Sequence, residues 1–216
     1  MTTHRPARNR VSPLGEIIAV AGRGAWMGNR GRLHEGRGSR DVVRNHQHKA
    51  WVICALSFRG RRVAQWEPNR ATPLFFLDEA VALAAGHRPC AQCRRKAYNT
   101  YRALWAETHG GTMPYVKEMD MRLHRERTGE AEHRAAWDGL PDGVFVVTDS
   151  GPGVVVGDHV AVWSRQDNIY RDRLPRPRTG TATVITPPCT VDVIRAGYPV
   201  QIAEVRESGT SNAFLE

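Results

Sequence analysis

The first half of the chain contains two apolar patterns with the two-residue period of β-strands. Residues 17–21 are predicted to form a short strand, and residues 50–66 two strands around a turn at 59–62. Both faces of the first strand in 50–66 are apolar, which indicates a buried strand. The glycine- and arginine-rich stretch between these regions, residues 22–38, is predicted to be a loop in which the backbone approaches another group closely.

Three helical patterns follow. The first, residues 77–86, is predicted to end at Gly86, because glycine commonly terminates helices. The second, residues 93–111, carries an apolar stripe formed by Tyr98, Tyr101, Leu104 and Trp105. The third, residues 116–137, is polar and is predicted to break at Gly129.

After Leu140–Gly143 the pattern changes to short runs that alternate in period two, separated by Gly, Pro and Asp. These runs are 143–149, 153–164, 180–188, 190–194 and 199–205. They are typical of a small antiparallel β-barrel or sandwich. The predicted class is therefore α+β. We expect a flexible basic arm (1–13), an α/β module with a β-hairpin and two to three helices (14–140), and a small all-β domain (141–216).

Composition excludes several classes of protein. The hydrophobic share of 41% and the charged share of 25% are those of an ordinary folded protein. No apolar run approaches the ~20 residues that span a bilayer. The basic N-terminus leads into no hydrophobic stretch of a signal peptide. We therefore expect a cytoplasmic protein without membrane contact.

Charge is distributed very unevenly. Residues 1–70 contain 14 of the 31 Lys and Arg residues but only 4 of the 22 Asp and Glu residues. Nearly all of these cations are arginines, which pair bidentately with phosphate. This segregation favours an anionic partner over a merely solvated basic tail. The residues expected to contact nucleic acid are Arg23, Trp26, Asn29, Arg30, Arg32, Arg61, Arg62, Arg88 and Arg94.

Cys90 and Cys93 form a C-x-x-C pair between two predicted helices. Such a pair can be a redox couple, half of a zinc site, or two unrelated cysteines. A redox couple fits poorly, because it would open a helix after a strand in a βαβ unit. The flanking arginines and the start of a helix favour thiolates, and thiolates are what zinc binds. The spacing therefore favours Zn²⁺.

Residues 75–94 resemble the latter half of the zinc-binding domain of Ada-type DNA repair proteins. The resemblance rests on the aromatic pair Phe75–Phe76, the helix before Gly86, and the G-x-R-P-C-x-x-C core ending at Cys93. It covers about a tenth of the chain, and His87 replaces an aromatic residue of the family. Arg94 and Arg95 also stand where the family continues with a proline.

This resemblance implies a structural zinc ion held by four cysteines, two of them upstream at C-x-x-x-C spacing. Here only Cys54 is available upstream, with Ala50 and Phe58 at the flanking positions. Because that pair is broken, the family's methyl transfer is not carried over. A histidine can complete a Cys3His set. The fourth ligand is expected to be His48, then His46, then His34, and failing these a water molecule.

Cys189 is expected to be a small buried apolar residue rather than a ligand.

Asp120 and His124 lie four residues apart on a predicted helix, with Glu126 beside them. A carboxylate can orient a histidine for general-base chemistry, although such pairs are also common on solvated helix faces. His34 follows Asn29 and Arg30 in a stretch that would suit a phosphate or small-anion pocket.

The sequence thus predicts a zinc-binding protein that contacts nucleic acid, DNA rather than RNA, in repair, modification or restriction. The alternative is a metal-assisted, hydrolase-like enzyme on a phosphate-bearing or small anionic substrate, using His34 and the Asp120/His124 pair. A scaffold whose β domain binds a protein is a third possibility.

Overall fold

A computed structural model describes residues 6–35, 40–62, 66–129 and 131–205. The N-terminal half contains eight short strands in this described part. They are β1 (Arg8–Val11), β2 (Ile17–Ala19), β3 (Trp26–Asn29), β4 (Val52–Cys54), β5 (Ser57–Phe58), β6 (Arg61–Arg62), β7 (Leu74–Phe76) and β8 (Arg88–Pro89). Six of them form a sheet in the order β2-β1-β7-β3-β4-β8, while β5 and β6 form a separate hairpin. Residues 50–66, predicted as two strands around a turn at 59–62, contain β4 and the hairpin of β5 and β6. The second hairpin strand lies at Arg61–Arg62, within the predicted turn, and residues 63–65 lie outside the described residues.

Two predictions for this half are corrected. Arg8–Val11 is a strand rather than a flexible arm, because Asn9 and Val11 turn inward and the strand pairs with both β2 and β7. Residues 1–5 of the predicted arm lie outside the described residues. The glycine-rich stretch contains β3, an interior strand. A Cβ on Gly28 would lie 2.6 Å from the Phe76 ring, so this glycine lets β3 and β7 pack closely.

Four α-helices are described: α1 (Glu79–Ala84), α2 (Arg95–Thr108), α3 (Val116–Thr128) and α4 (Pro188–Arg195). Asp78 caps α1 by accepting a hydrogen bond from the Val81 N–H at 2.8 Å. The predicted stripe on α2 is confirmed, since its tyrosines and Trp105 are buried. The predicted break of the third pattern at Gly129 is confirmed, because α3 ends at Thr128 and Gly129 adopts an extended conformation. Residues 133–136 form a strand and not the predicted continuation of the helix.

The second sheet is antiparallel and has six strands. They are β9 (His133–Ala136), β10 (Phe145–Thr148), β11 (Gly151–Val156), β12 (His159–Ser164), β13 (Ile169–Pro175) and β14 (Thr181–Val184), in the order β13-β12-β11-β10-β14-β9. The described strands form an open sheet, not a closed barrel. The sequence missed β9 and β13.

The predicted strand at 190–194 is helix α4 instead. Pro187 and Pro188 begin this helix, and its buried face packs against α2. Residues 199–205 contribute only an isolated bridge between Tyr170 and Val205. Residues 206–216 lie outside the described part of the chain.

The α+β class is confirmed, and the two sheets share buried contacts. One hydrophobic cluster includes residues from both sides of the predicted boundary at 140–143, although the boundary itself stays a prediction. Two tyrosine hydroxyls form hydrogen bonds between the parts before and after this boundary. Tyr170 donates to Asp78 at 2.8 Å, and Tyr198 donates to Glu79 at 2.7 Å. No helix in the described ranges is long and apolar enough to cross a membrane.

Candidate metal centre

Three cysteines meet at one end of the first sheet. Strands β4 and β8 run parallel, with Val52 opposite Arg88 and Ile53 opposite Pro89. The same register, continued by one residue, places Cys54 beside Cys90. Cys93 lies in the turn before α2, close to both of these cysteines. The three Sγ atoms lie within 4.8 Å of one another, so these thiols can hold a metal ion.

Backbone N–H groups also point at the sulfur atoms. Ala55 N lies 3.4 Å from Cys93 Sγ, and Gln92 N lies 3.4 Å from Cys90 Sγ. The hydrogen bond between Cys54 and Cys90 lowers the pKa of Cys90 and raises the pKa of Cys54. A cluster in which one sulfur is stabilised as a thiolate by its neighbours is suited to exchange protons for a metal ion.

All four cysteines carry free thiols. Cys189 is fully buried and lies outside the group of three, as the sequence predicts. Its backbone N–H donates to Glu126 Oε2 at 3.0 Å, so Glu126, a predicted catalytic residue, helps to hold the start of α4.

The histidines predicted as the fourth ligand lie elsewhere. Among the described residues the candidate metal group contains only cysteines. His48 and His46 are exposed and precede β4, whereas Cys54 ends it, so the strand separates them from the thiols. The His46 ring lies 5.1 Å from the ring of His124. His34 is buried, with its Nδ1 2.6 Å from the hydroxyl of Thr72.

The predicted Asp120/His124 pair is not formed. Asp120 instead accepts two hydrogen bonds from Arg88, at 2.7 and 2.8 Å, in a buried ion pair. His124 Nδ1 lies 3.1 Å from Arg127 Nη2. His34 and His124 therefore contact different residues, and neither belongs to the cysteine group. A catalytic role for these side chains stays a prediction, without a shared site to support it.

The residues predicted to contact nucleic acid divide into two groups. Arg23, Arg32 and Arg62 are exposed, so their guanidinium groups can reach a phosphate. Arg32 also donates from Nη1 to Pro68 O at 3.1 Å. The side chain of Arg61 lies outside what the structure describes.

The other predicted contacts are used within the protein. Arg94 pairs with Glu79 at 2.7 Å and stacks at 3.9 Å on the ring of Trp26. Asn29 accepts a hydrogen bond from the N–H of Gly31. Arg30 is fully buried, and Arg88 holds Asp120. The sequence could not separate these side chains from the exposed ones, because their partners are distant in the chain.

The sequence also missed a basic cluster around Trp51. The guanidinium groups of Arg30 and Arg127 lie 3.8 and 3.7 Å from the centre of the Trp51 ring. The only signal for it was Arg30 in the stretch expected to suit a small-anion pocket. Arg127 follows Arg30 by almost a hundred residues, and no spacing rule connects them.

Comparison of the chain with models of protein families, with curated proteins and with solved structures gave no match.

Proposed function

We propose that this chain is a zinc-binding protein whose exposed N-terminal arginines contact nucleic acid, DNA rather than RNA. Cys54, Cys90 and Cys93 supply three ligands of a tetrahedral Zn²⁺ site. The observation that carries the metal part is the convergence of their three Sγ atoms within 4.8 Å. Zinc suits this donor set, because thiolates are its preferred soft ligands and three cysteines are common in structural sites.

The position of the thiols supports a structural role for zinc. They join the end of β4, the residue after β8 and the turn into α2, which are three separate segments of the chain. An ion bound there would tie the edge of the first sheet to the helix that packs against α4. The resemblance of residues 75–94 to Ada-type zinc-binding domains supports the same proposal.

The exposed arginines support the nucleic-acid part. Arg23, Arg32 and Arg62 are exposed in a segment that contains 14 cationic and only 4 acidic side chains over residues 1–70. Phosphate contacts by such side chains release counterions, so the affinity must fall steeply with salt.

A binding titration tests this part. Fluorescence anisotropy of a labelled DNA duplex, repeated with RNA of the same sequence, should show binding at ~50 mM salt that weakens as salt is added. Replacing Arg23, Arg32 and Arg62 by Gln should reduce the slope of log K against log salt by about one for each arginine that binds a phosphate. The matched control replaces Arg134, Arg171 and Arg195 in the C-terminal half, and should keep the slope. Absence of binding by the zinc-loaded chain at low salt would refute the nucleic-acid role.

A further inference from the structure

A second site is indicated by two arginines packed against one indole ring. Arg30, which is fully buried, and Arg127 both lie within 4 Å of the Trp51 ring centre. No carboxylate of the described residues forms an ion pair with either guanidinium group. Buried charges are normally paired, because an isolated ion in a low-dielectric environment is costly.

The pKa values of both guanidinium groups are lowered mainly by burial, and the charge of Asp120 offsets only part of this effect at Arg127. Burial, together with the nearby charge of Arg127, lowers the pKa of Arg30 to about 9. Burial likewise lowers the pKa of Arg127 to about 9. Both groups remain cationic at neutral pH. A bound anion would offset the repulsion between them and the loss of hydration.

Each guanidinium group donates hydrogen bonds to the protein and has one further nitrogen without a partner. Arg30 donates from Nε to His87 Nε2 at 3.0 Å and from Nη1 to Gly15 O at 2.9 Å. Arg127 donates from Nη1 to Gly86 O at 2.8 Å and from Nη2 to Lys49 O at 2.7 Å. Arg30 Nη2 and Arg127 Nε are buried without a partner. Unsatisfied buried donors of this kind call for an explanation, and a missing ion is a common one.

Both arginines line the wall of a cavity of about 950 Å³, which also includes Arg8 and Arg125. Three glutamates, Glu16, Glu126 and Glu132, also line the wall. Glu16 pairs with Arg165, Glu126 pairs with Arg122, and Glu132 accepts a hydrogen bond from the Thr183 hydroxyl. Because five arginines stand against these three glutamates, the formal charge of the wall is positive. Its volume is at the upper end of the range for small-molecule sites and can contain a mononucleotide.

We propose that this cavity, between β2, the segment before β4 and the end of α3, binds the phosphate group of a nucleotide-sized ligand through Arg30 and Arg127. Arg30 Nη2 and Arg127 Nε can each donate one hydrogen bond to a phosphate oxygen, and the bonds that the other nitrogens make to the protein hold the two guanidinium groups in place. The site is separate from the exposed arginines Arg23, Arg32 and Arg62. The phosphate belongs either to a free nucleotide or to the end of a nucleic-acid strand.

Calorimetry on the full-length, zinc-loaded chain tests the site. At constant ionic strength, a nucleoside 5′-monophosphate should bind and the unphosphorylated nucleoside should not. Inorganic phosphate should compete with the monophosphate. If neither phosphate compound binds more tightly than the nucleoside, the proposal fails. Comparison with a 5′-phosphorylated and an unphosphorylated oligonucleotide distinguishes the two sources: preference for the phosphorylated strand over the free nucleotide identifies a strand end.

Variants locate the binding. Arg127→Gln should weaken the monophosphate about 10- to 100-fold, the loss expected for one hydrogen bond to a charged group. Arg171→Gln, in an exposed pair with Asp167, is the matched control and should bind as the wild type does. Undiminished binding by Arg127→Gln would overturn the assignment.

Two further measurements cover the case in which Arg127→Gln does not fold and the case in which the exposed arginines do not bind nucleic acid. If Arg127→Gln does not fold, NMR of the arginine side-chain N–H groups in the wild-type chain replaces it. The signals of Arg30 and Arg127 should shift on adding phosphate while that of Arg171 does not, and unchanged signals would refute the site. The Arg23, Arg32 and Arg62 replacement should leave monophosphate binding intact, so failure of the surface and failure of the cavity are separable.

Discussion

The ion pair between Arg88 and Asp120 is expected to be among the most sensitive points of the structure. Its side chains are only 4% and 9% exposed, and two hydrogen bonds of 2.7 and 2.8 Å join them. It connects β8 to α3, and Arg88 lies two residues before Cys90. Asp120→Asn keeps the shape of the side chain but removes the charge, which leaves a buried arginine without its counterion.

The expected loss follows from burial. Removing one partner of a buried pair costs about 3–5 kcal/mol in the free energy of unfolding. For a chain of this length, each kcal/mol corresponds to about 2–4 °C, so the melting temperature should fall by about 6–20 °C. The exposed pair of Arg171 with Asp167, 49% and 41% exposed, is the matched control. Asp167→Asn should leave stability nearly unchanged, because exposed pairs are screened by water and salt.

Urea unfolding followed by circular dichroism measures both losses. The double replacement of Arg88 by Met and Asp120 by Leu should be less damaging than Asp120→Asn, since it removes the uncompensated charge as well. Unfolding of Asp120→Asn and Asp167→Asn at the same urea concentration would show that burial does not make the Arg88–Asp120 pair more sensitive.

Three further predictions concern the core. Burial raises the pKa of Asp78 to about 6 from 3.8, so its folded form binds a proton more tightly than the unfolded chain does. Stability from this group is therefore present at acid pH and lost as pH rises from about 4 to about 7. Asp78→Asn should remove that part of the pH dependence of urea unfolding, and an identical pH profile would argue against it. Gly28→Ala should cost about 1–3 kcal/mol in thermal unfolding, because its Cβ meets the Phe76 ring. Gly139→Ala, with open space around its Cβ, should be close to neutral, and equal losses would exclude the packing explanation. Tyr101→Phe should cost about 1 kcal/mol, because it removes the buried hydrogen bond of 3.0 Å that joins α2 to Thr190 on α4. A variant as stable as the wild type would show that this bond does not help to dock α4.

Local patterns were enough to predict α1 and α2. Their apolar residues recur at helical spacing, and Asp78 and Gly86 stand at the two ends of the first helical pattern. The same reasoning failed for residues 190–194, whose valines and isoleucine alternate as in a strand. The two prolines before them fix the start of a helix, and packing against α2 then outweighs β propensity.

The cysteine cluster could be predicted from the sequence in part. The spacing of Cys90 and Cys93 indicates metal binding directly, whereas Cys54 followed only from the resemblance to Ada-type domains. Its place beside Cys90 depends on the parallel pairing of β4 with β8, which no local pattern encodes. His34, His46 and His48 lie outside the group of three cysteines, because nearness in sequence does not place side chains together in space.

The buried basic groups show the same limit. Arg88 and Asp120 are 32 residues apart, and Arg30 and Arg127 pack against the same ring of Trp51. Nothing in the sequence indicates that these charged side chains lie together. Only the topology, which brings the end of α3 against the first sheet, assigns them to a buried cluster.

Zinc binding by Cys54, Cys90 and Cys93 is tested by the metal content of the purified chain, measured by mass spectrometry. The wild type is compared with Cys90→Ser and Cys189→Ser. We expect one zinc ion per chain in the wild type and in Cys189→Ser, whose thiol is buried outside the cluster. Cys90→Ser should lose most of that zinc. A wild-type chain that folds and purifies without stoichiometric zinc, or a Cys90→Ser chain that retains it, would show that these cysteines do not form a zinc site.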